Sequence, residues 1–274
     1  MDKTQELILK IMELSIDAIF IEDTSGNVIQ CNHAAEKMFG YNKGEMIGLN
    51  ISDLIPKDDY AYLKPTYKKE DLFENEYIPR RNIRKDGTVF PTEVNSKIVT
   101  VGDKEYLIAF VHDMTEENKI KERLFYLSNY DELTALRNRR AILSLLSTQK
   151  ESFCLAMIDI DGFKKVNDTY GHMVGDLFLK SFGMILNDND KIIAGRFGGE
   201  EFLVLISTSN LKYAKKVMND ILEKANKTLE LYGGIHFSCG LTLVNDLRID
   251  VAIQKSDKLL YQAKNNGKNQ IVAE

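Results

Sequence analysis

Ile192-Ile193-Ala194-Gly195-Arg196-Phe197-Gly198-Gly199-Glu200-Glu201-Phe202-Leu203-Val204-Leu205-Ile206 is a pair of apolar runs parted by two glycines and two adjacent carboxylates. The pattern predicts two strands joined by a hairpin turn, with the glycines supplying positive φ and room for a bulky ligand to approach. Glu200 and Glu201 at such a turn suit a divalent cation, but a solvated acidic hairpin would read the same way. The neighbouring segments decide between the two.

Upstream, Phe153 to Ile160 is an apolar run that ends in acids, Ile158-Asp159-Ile160-Asp161-Gly162-Phe163-Lys164-Lys165-Val166-Asn167-Asp168. Period-two alternation puts Asp159 and Asp161 on one side of a buried strand, where both are expected to face a cation. An EF-hand loop starts similarly but needs Glu at its twelfth position, which here is Tyr170. Carboxylates at a strand tip, beside a hairpin turn carrying two more, form the layout for two-metal phosphoryl or nucleotidyl transfer, with cations about 4 Å apart. Lysines should then hold the phosphates. Lys164 follows the strand, and Lys264 and Lys268 are expected to share one face of a helix ending at Gly267.

The chain has 274 residues, 44% apolar and 28% charged, which suits a soluble protein of two domains. The longest apolar runs, such as Tyr106 to Val111, are far short of the roughly 20 residues that cross a bilayer, and the charged N-terminus carries no signal core. No membrane association is expected, and the location expected is cytoplasmic. Cys31, Cys154 and Cys239 are odd in number and widely spaced, and so read as reduced thiols. A net charge of −5 argues against nucleic-acid binding. Arg80, Arg81, Arg84 and Lys85, around the Asp86-Gly87 turn, read as a solvated strand end.

All four prolines lie at or before Pro91, so the two halves differ in character. An amphipathic helix carrying Leu7, Ile11 and Leu14 leads into strands at Ala18 to Ile21 and Val28 to Gln30, then a helix from His33 to Phe39. Three more strands follow at Glu76 to Ile83, Val89 to Val99 and Tyr106 to His112. An antiparallel sheet with helices across one face makes a cup able to hold a small ligand. From Thr115 to Ser128 runs a charged helix with one apolar seam, Ile120, Leu124 and Leu127, which predicts a short coiled coil with a second subunit.

With Asn32 after the second strand, Phe39-Gly40-Tyr41, Lys85-Asp86-Gly87 and Asp113-Met114-Thr115-Glu116, residues 3–117 resemble a PAS sensor domain. The resemblance implies a small-molecule or redox signal of unknown identity. Haem is not expected, because none of His33, His112, His172 and His236 lies in the segment Pro56 to Lys69 where PAS haem ligands usually reside. The Asn-Cys-Arg step of flavin-photoadduct PAS domains is absent too, since Cys31 precedes Asn32 and His33. His112 reads as a strand-end hydrogen-bonding residue.

Asp131-Glu132-Leu133-Thr134, Asp159-Ile160-Asp161-Gly162-Phe163-Lys164, Asn167-Asp168, Gly171-His172, Gly175-Asp176, Arg196 to Phe202 and Tyr261 to Asn269 together resemble, in order and spacing, the GGDEF domain of diguanylate cyclases. The fold implied is α+β: a PAS domain with an antiparallel five-stranded sheet over 1–117, a helical linker over 118–129, and a palm-like domain related to nucleotidyl cyclases over 130–274. The activity implied is condensation of two GTP to cyclic di-GMP and two pyrophosphates between two such domains, so a homodimer is expected.

The resemblance assigns Mg2+, or Mn2+, to Asp159, Glu200 and the Ile160 carbonyl, and makes Glu200 the base for the ribose 3′-hydroxyl. Glu201 completes that shell. Lys164 and Phe163 lie near the phosphates, with Lys264 and Lys268 on the β and γ groups. Asn167 and Asp176 read guanine, and His172 lies close to them. A carboxylate accepts from the adjacent N1–H and 2-amino donors of guanine, whereas adenine presents an acceptor at N1. Many family members carry an inhibitory Arg-x-x-Asp, but the aligned positions here are Asn189 and Ile192, so product feedback should be weak or absent. A catalytically silent receptor for GTP or cyclic di-GMP, and a PAS interaction protein whose output is dimerisation, are the alternatives.

Overall fold

The computed structural model describes residues 3–62, 76–245 and 248–274. By contacts the chain divides into two units, Met1–Glu122 and Arg123–Glu274, each with its own five-stranded sheet.

In the first unit, α1 (Lys3–Leu14) precedes the hairpin of β1 (Ala18–Asp23) and β2 (Val28–Cys31), followed by α2 (His33–Phe39). Asp23 closes the hairpin by accepting the Ser25 and Asn27 amides, each at 2.9 Å, while Gly26 takes φ 81°. Asn32 caps α2 through the Ala35 amide, and its side-chain amide donates to the Met12 and Asp17 carbonyls. One buried side chain thus ties α1, β1 and α2 together. The sheet is completed by β3 (Ile78–Ile83), β4 (Val89–Val101) and β5 (Lys104–Asp113), in the antiparallel order β2-β1-β5-β4-β3. Its covered face is filled by Phe20, Phe39 and Phe90, packed edge to face at 5.5 and 5.4 Å. The expected haem-ligand segment, Pro56 to Lys69, lies outside the described residues from 63 onward.

The basic cluster is ion-paired rather than simply solvated. Arg81 forks onto Asp59 at 2.9 and 2.7 Å, Arg84 binds Asp113 at 2.7 Å and lies over the Phe90 ring, and Lys85 reaches Glu45 at 2.6 Å. His112 does hydrogen-bond at its strand end, with Nδ1 2.6 Å from Asp17; that bond holds the imidazole pKa above its usual value.

α3 (Thr115–Asn129) contains the boundary between the units and has no buried residue. The second unit runs α4 (Arg139–Ser147), β6 (Phe153–Ile160), α5 (Phe163–Tyr170), α6 (His172–Asn187), β7 (Ile192–Arg196), β8 (Glu201–Ile206), α7 (Leu211–Asn226), β9 (Phe237–Val244), α8 (Ile249–Asn265) and β10 (Ile271–Ala273). The sheet order is β10-β9-β6-β8-β7, antiparallel except where β10 joins β9.

Every residue of β6 is buried, as befits a central strand covered on both faces. Cys154, Ala156, Ile158 and Ile160 face the core shared with α6 and α7. Phe153, Leu155 and Met157 face the core shared with α4 and α8, so the alternation delivers Asp159 to the α8 side. The three cysteines are free, and burial pushes the thiols of Cys31 and Cys154 up to about 11. Among the described residues no helix is long and apolar enough to cross a membrane.

Candidate active site

The β7–β8 hairpin forms as its sequence predicts, with Arg196 opposite Phe202, but Gly198 serves a different purpose. Neither Gly198 nor Gly199 takes a positive φ. A β-carbon on Gly198 would lie 2.6 Å from Glu201 Oε2, so glycine makes room for the Glu201 carboxylate folded beneath the turn. The turn is braced from outside: Arg196 donates from Nε and Nη2 to the Gly199 carbonyl at 3.1 and 2.8 Å, and its Nη1 sits 3.2 Å from both oxygens of Asp131. Asp131 also accepts the Thr134 amide and hydroxyl at 2.9 and 2.7 Å. Burial pushes the Asp131 carboxyl pKa up, but the Thr134 hydrogen bonds and the Arg196 charge outweigh it and leave the group ionised below the usual range. Sequence reading gave neither residue a role. The Asp-x-x-Thr spacing, which suits an aspartate bonded to a backbone amide three residues on, was the available signal.

Asp159 stands at the tip of β6, opposite Glu201 on one side and Ser238 on the other. The Ile160 amide donates to the Glu200 carbonyl at 3.2 Å, which registers the turn against that tip. Burial raises the carboxyl pKa values of both Asp159 and Glu200; the Asp159 charge pushes Glu200 up further, and Lys264, with Nζ 2.8 Å from Asp159 Oδ2, acts in the opposite direction. Two carboxyls whose pKa values are raised by burial, with the Asp159 and Glu201 charges adding to the rise at Glu200 and the Asp161 charge to that at Asp159, are short of positive charge, and this donor set suits a cation. Among the described residues no three His, Cys, Asp or Glu side chains converge to hold a metal unaided. A cation here would draw on backbone and substrate oxygens as well, as small hard cations do. A cleft of about 440 Å³ opens beside it between Glu201 and the α8 residues Asp257, Lys258, Tyr261 and Lys264.

Two expectations are corrected. Asp161 does not face a cation beside Asp159, because β6 ends at Ile160 and the Asp161 carboxylate is taken up by the Ser238 hydroxyl and the Asn269 amide. Lys268 does not share a helical face with Lys264: α8 ends at Asn265, Gly267 turns the chain with φ 110°, and Lys268 sits beyond it with φ 64°.

A second group of expected residues gathers where Gly162, at φ 71°, turns β6 into α5. Phe163 is buried, and Asn167 and the Phe163 ring close on Gly175 so tightly that a β-carbon there would overlap the Asn167 amide. Asp176 follows and is exposed, so the α5–α6 corner presents Asn167 and Asp176 together. His172 and Lys164 are exposed on the same two helices.

The sequence profile described as "Diguanylate cyclase, GGDEF domain" matches residues 128–270, just over half of the chain. The chain belongs to the GGDEF family. A PAS-domain profile matches residues 16–116, ahead of the GGDEF domain. Similar proteins include the signaling protein YkoW of Bacillus subtilis, 28% identical over 93% of this chain and 33% of that protein. A diguanylate cyclase of Vibrio cholerae is 27% identical over 96% of this chain and 87% of its own length. The GGDEF domain is also similar to the crystal structure of the coiled coil and GGDEF domain of DgcB from Caulobacter crescentus in complex with c-di-GMP, with TM-score 0.54 and 25% identity over 58% of this chain and 92% of that one. The chain spans 33% to 63% of the length of the first four curated relatives it matches.

Proposed function

We propose that the protein is a diguanylate cyclase that condenses two GTP molecules into cyclic di-GMP and two pyrophosphates. The observation that carries this reading is the convergence of Asp159, Glu200 and Lys264 at one strand tip in a GGDEF domain, two carboxyls with raised pKa values against one lysine. Asp159, Glu200 and the Ile160 carbonyl would hold Mg2+, or Mn2+, with Glu201 completing the shell. When bound, the ion supplies charge to neutralise the α-phosphate and the departing pyrophosphate.

Glu200, at the turn beside the β6 tip, takes the proton from the ribose 3′-hydroxyl. The 3′-oxygen then attacks the α-phosphorus of the other GTP and pyrophosphate leaves; the same step repeated from the second GTP closes the ring. Lys164, Lys264 and Lys268 hold phosphate oxygens, and the uncapped N-terminus of α5 at Phe163 adds backbone donors. Asn167 and Asp176 select guanine, with His172 beside them. Each copy contributes one half-site, so a homodimer is required, and the PAS domain acts through α3 by changing how the half-sites meet. With Asn189 and Ile192 at the inhibitory positions, feedback by product is weak.

Incubation with GTP and Mg2+, followed by chromatography, tests the reading. Cyclic di-GMP should form, and Glu200→Gln should abolish it while leaving the dimer intact. Absence of any dinucleotide from pure dimeric protein would sink the enzyme reading in favour of a silent receptor.

A further inference from the structure

Asp161 lies two residues from Asp159, yet its carboxylate is directed to a different end of the site. The Ser238 hydroxyl, fully buried on β9, donates to it at 2.9 and 3.0 Å from its two oxygens, and the Asn269 backbone N–H donates to Oδ2 at 2.9 Å. Asn269 closes an unusual turn. Gly267, Lys268 and Asn269 have φ of 110°, 64° and 47°, so three successive residues are left-handed and only the first is glycine. Among the described residues, the other non-glycine positive φ values are at Ala135 and Leu229, each isolated. Left-handed backbone disfavours side-chain-bearing residues, lysine more than asparagine and both more than glycine, and is held here by its surroundings.

The turn is pinned by the Gln270 side-chain amide, which donates to the Ala263 and Asn266 carbonyls at 3.1 and 2.7 Å, and by three backbone amides. Lys268 N–H donates to the Ala263 carbonyl of α8 at 3.1 Å, Cys239 N–H of β9 donates to the Gln270 carbonyl at 3.0 Å, and Asn269 N–H goes to Asp161. Only the last ties Lys268 to the β6 tip that carries Asp159. The two lysines are thus registered by one aspartate each: Lys264 directly by Asp159, and Lys268 through the Asn269 amide by Asp161.

We propose that Asp161 is a positioning residue that holds the left-handed Lys268-Asn269 turn against the β6 tip, so that Lys268 meets the triphosphate without searching for its place. The proposal rests on the reading of Lys268 as a phosphate-binding residue. It makes Asp161 a fixed anchor, and Ser238 its orienting partner. It also implies that the strain at residue 269 and the carboxylate at residue 161 form one device, so relieving the strain should replace the carboxylate.

Binding of an α,β-methylene GTP analogue, which cannot release pyrophosphate, tests this on the full chain with Mg2+ titrated and with amide exchange at Asn269 followed in parallel. Asp161→Ala should weaken analogue binding about tenfold, leave the Mg2+ concentration needed for binding unchanged, and speed exchange at Asn269. Adding Asn269→Gly, which is at ease in left-handed backbone, should restore most of the affinity. Ser238→Ala, which keeps the charge and the Asn269 bond, should show the same effects more weakly and serves if Asp161→Ala does not fold. A raised Mg2+ requirement that Asn269→Gly fails to rescue would show that Asp161 acts on the cation rather than on the turn and overturn the proposal; so would unchanged binding in Asp161→Ala. If Lys268→Ala also binds the analogue normally while Asp161→Ala still loses protection at Asn269, the phosphate role of Lys268 has failed and the anchoring of the turn has not.

Discussion

Glu22 is 1% exposed on the inward face of β1, and neither of its carboxyl oxygens has a hydrogen-bond partner. Burial first, and the Asp23 charge second, push its pKa up to about 8 from 4.5. The unfolded chain therefore releases this proton near its ordinary pKa while the folded PAS domain keeps it, so stability falls as pH rises from about 4.5 to about 8, by a few kcal/mol at most. Glu22→Gln removes the penalty. It should raise the unfolding midpoint at about pH 8.5 and change little at about pH 4.5, read by thermal unfolding; parallel profiles for the two proteins would show that Glu22 is not buried neutral. Nothing in the sequence marked this residue, because alternation predicts an inward side chain at position 22 without saying whether a partner awaits it. The same gap explains Asp161. Period two holds only as far as the strand does, and what a carboxylate reaches one residue past the end depends on β9 and the turn after α8, both distant in sequence.

Helices and strands were legible because apolar periodicity marks them: α2 spans His33–Phe39 as read, and α3 runs one residue past its expected end. Strand ends were less so, since β4 and β5 continue into polar residues, to Val101 and from Lys104, where cross-strand pairing outweighs composition. Lys268 was misplaced because helical spacing was carried across Gly267. The close fit of α8 on β9 was not legible either. A β-carbon at Gly240 would run into the Ser256 carbonyl and the Leu260 amide of α8. Gly240→Ala must displace the helix that carries Lys264, and should destabilise the GGDEF domain by about 1–3 kcal/mol and weaken Mg2+-dependent nucleotide binding with it. Thermal unfolding and analogue binding check both; a change in neither would show that α8 adjusts freely.

One chain carries one Asp159, one Glu200 and one α5–α6 corner with Asn167 and Asp176, whereas the proposed cyclic dinucleotide needs two 3′-oxygen attacks. The proposed homodimer would cover apolar residues that one chain leaves exposed. On α1, Leu7, Ile11 and Leu14 are 58%, 60% and 82% exposed, and on α3, Ile120, Leu124 and Phe125 are 58%, 60% and 63% exposed. Seams of this kind on otherwise charged helices are closed most simply by the same helices of a partner. In the proposed reading association sets the rate, and the PAS domain would change it by altering the geometry of α3. The most direct test is the rate of cyclic di-GMP formation per chain, measured with GTP and Mg2+ over a dilution series while sedimentation reports the dimer fraction. The account predicts activity proportional to dimer fraction, falling to nothing in the monomer; undiminished cyclic product from a monomeric chain would contradict it.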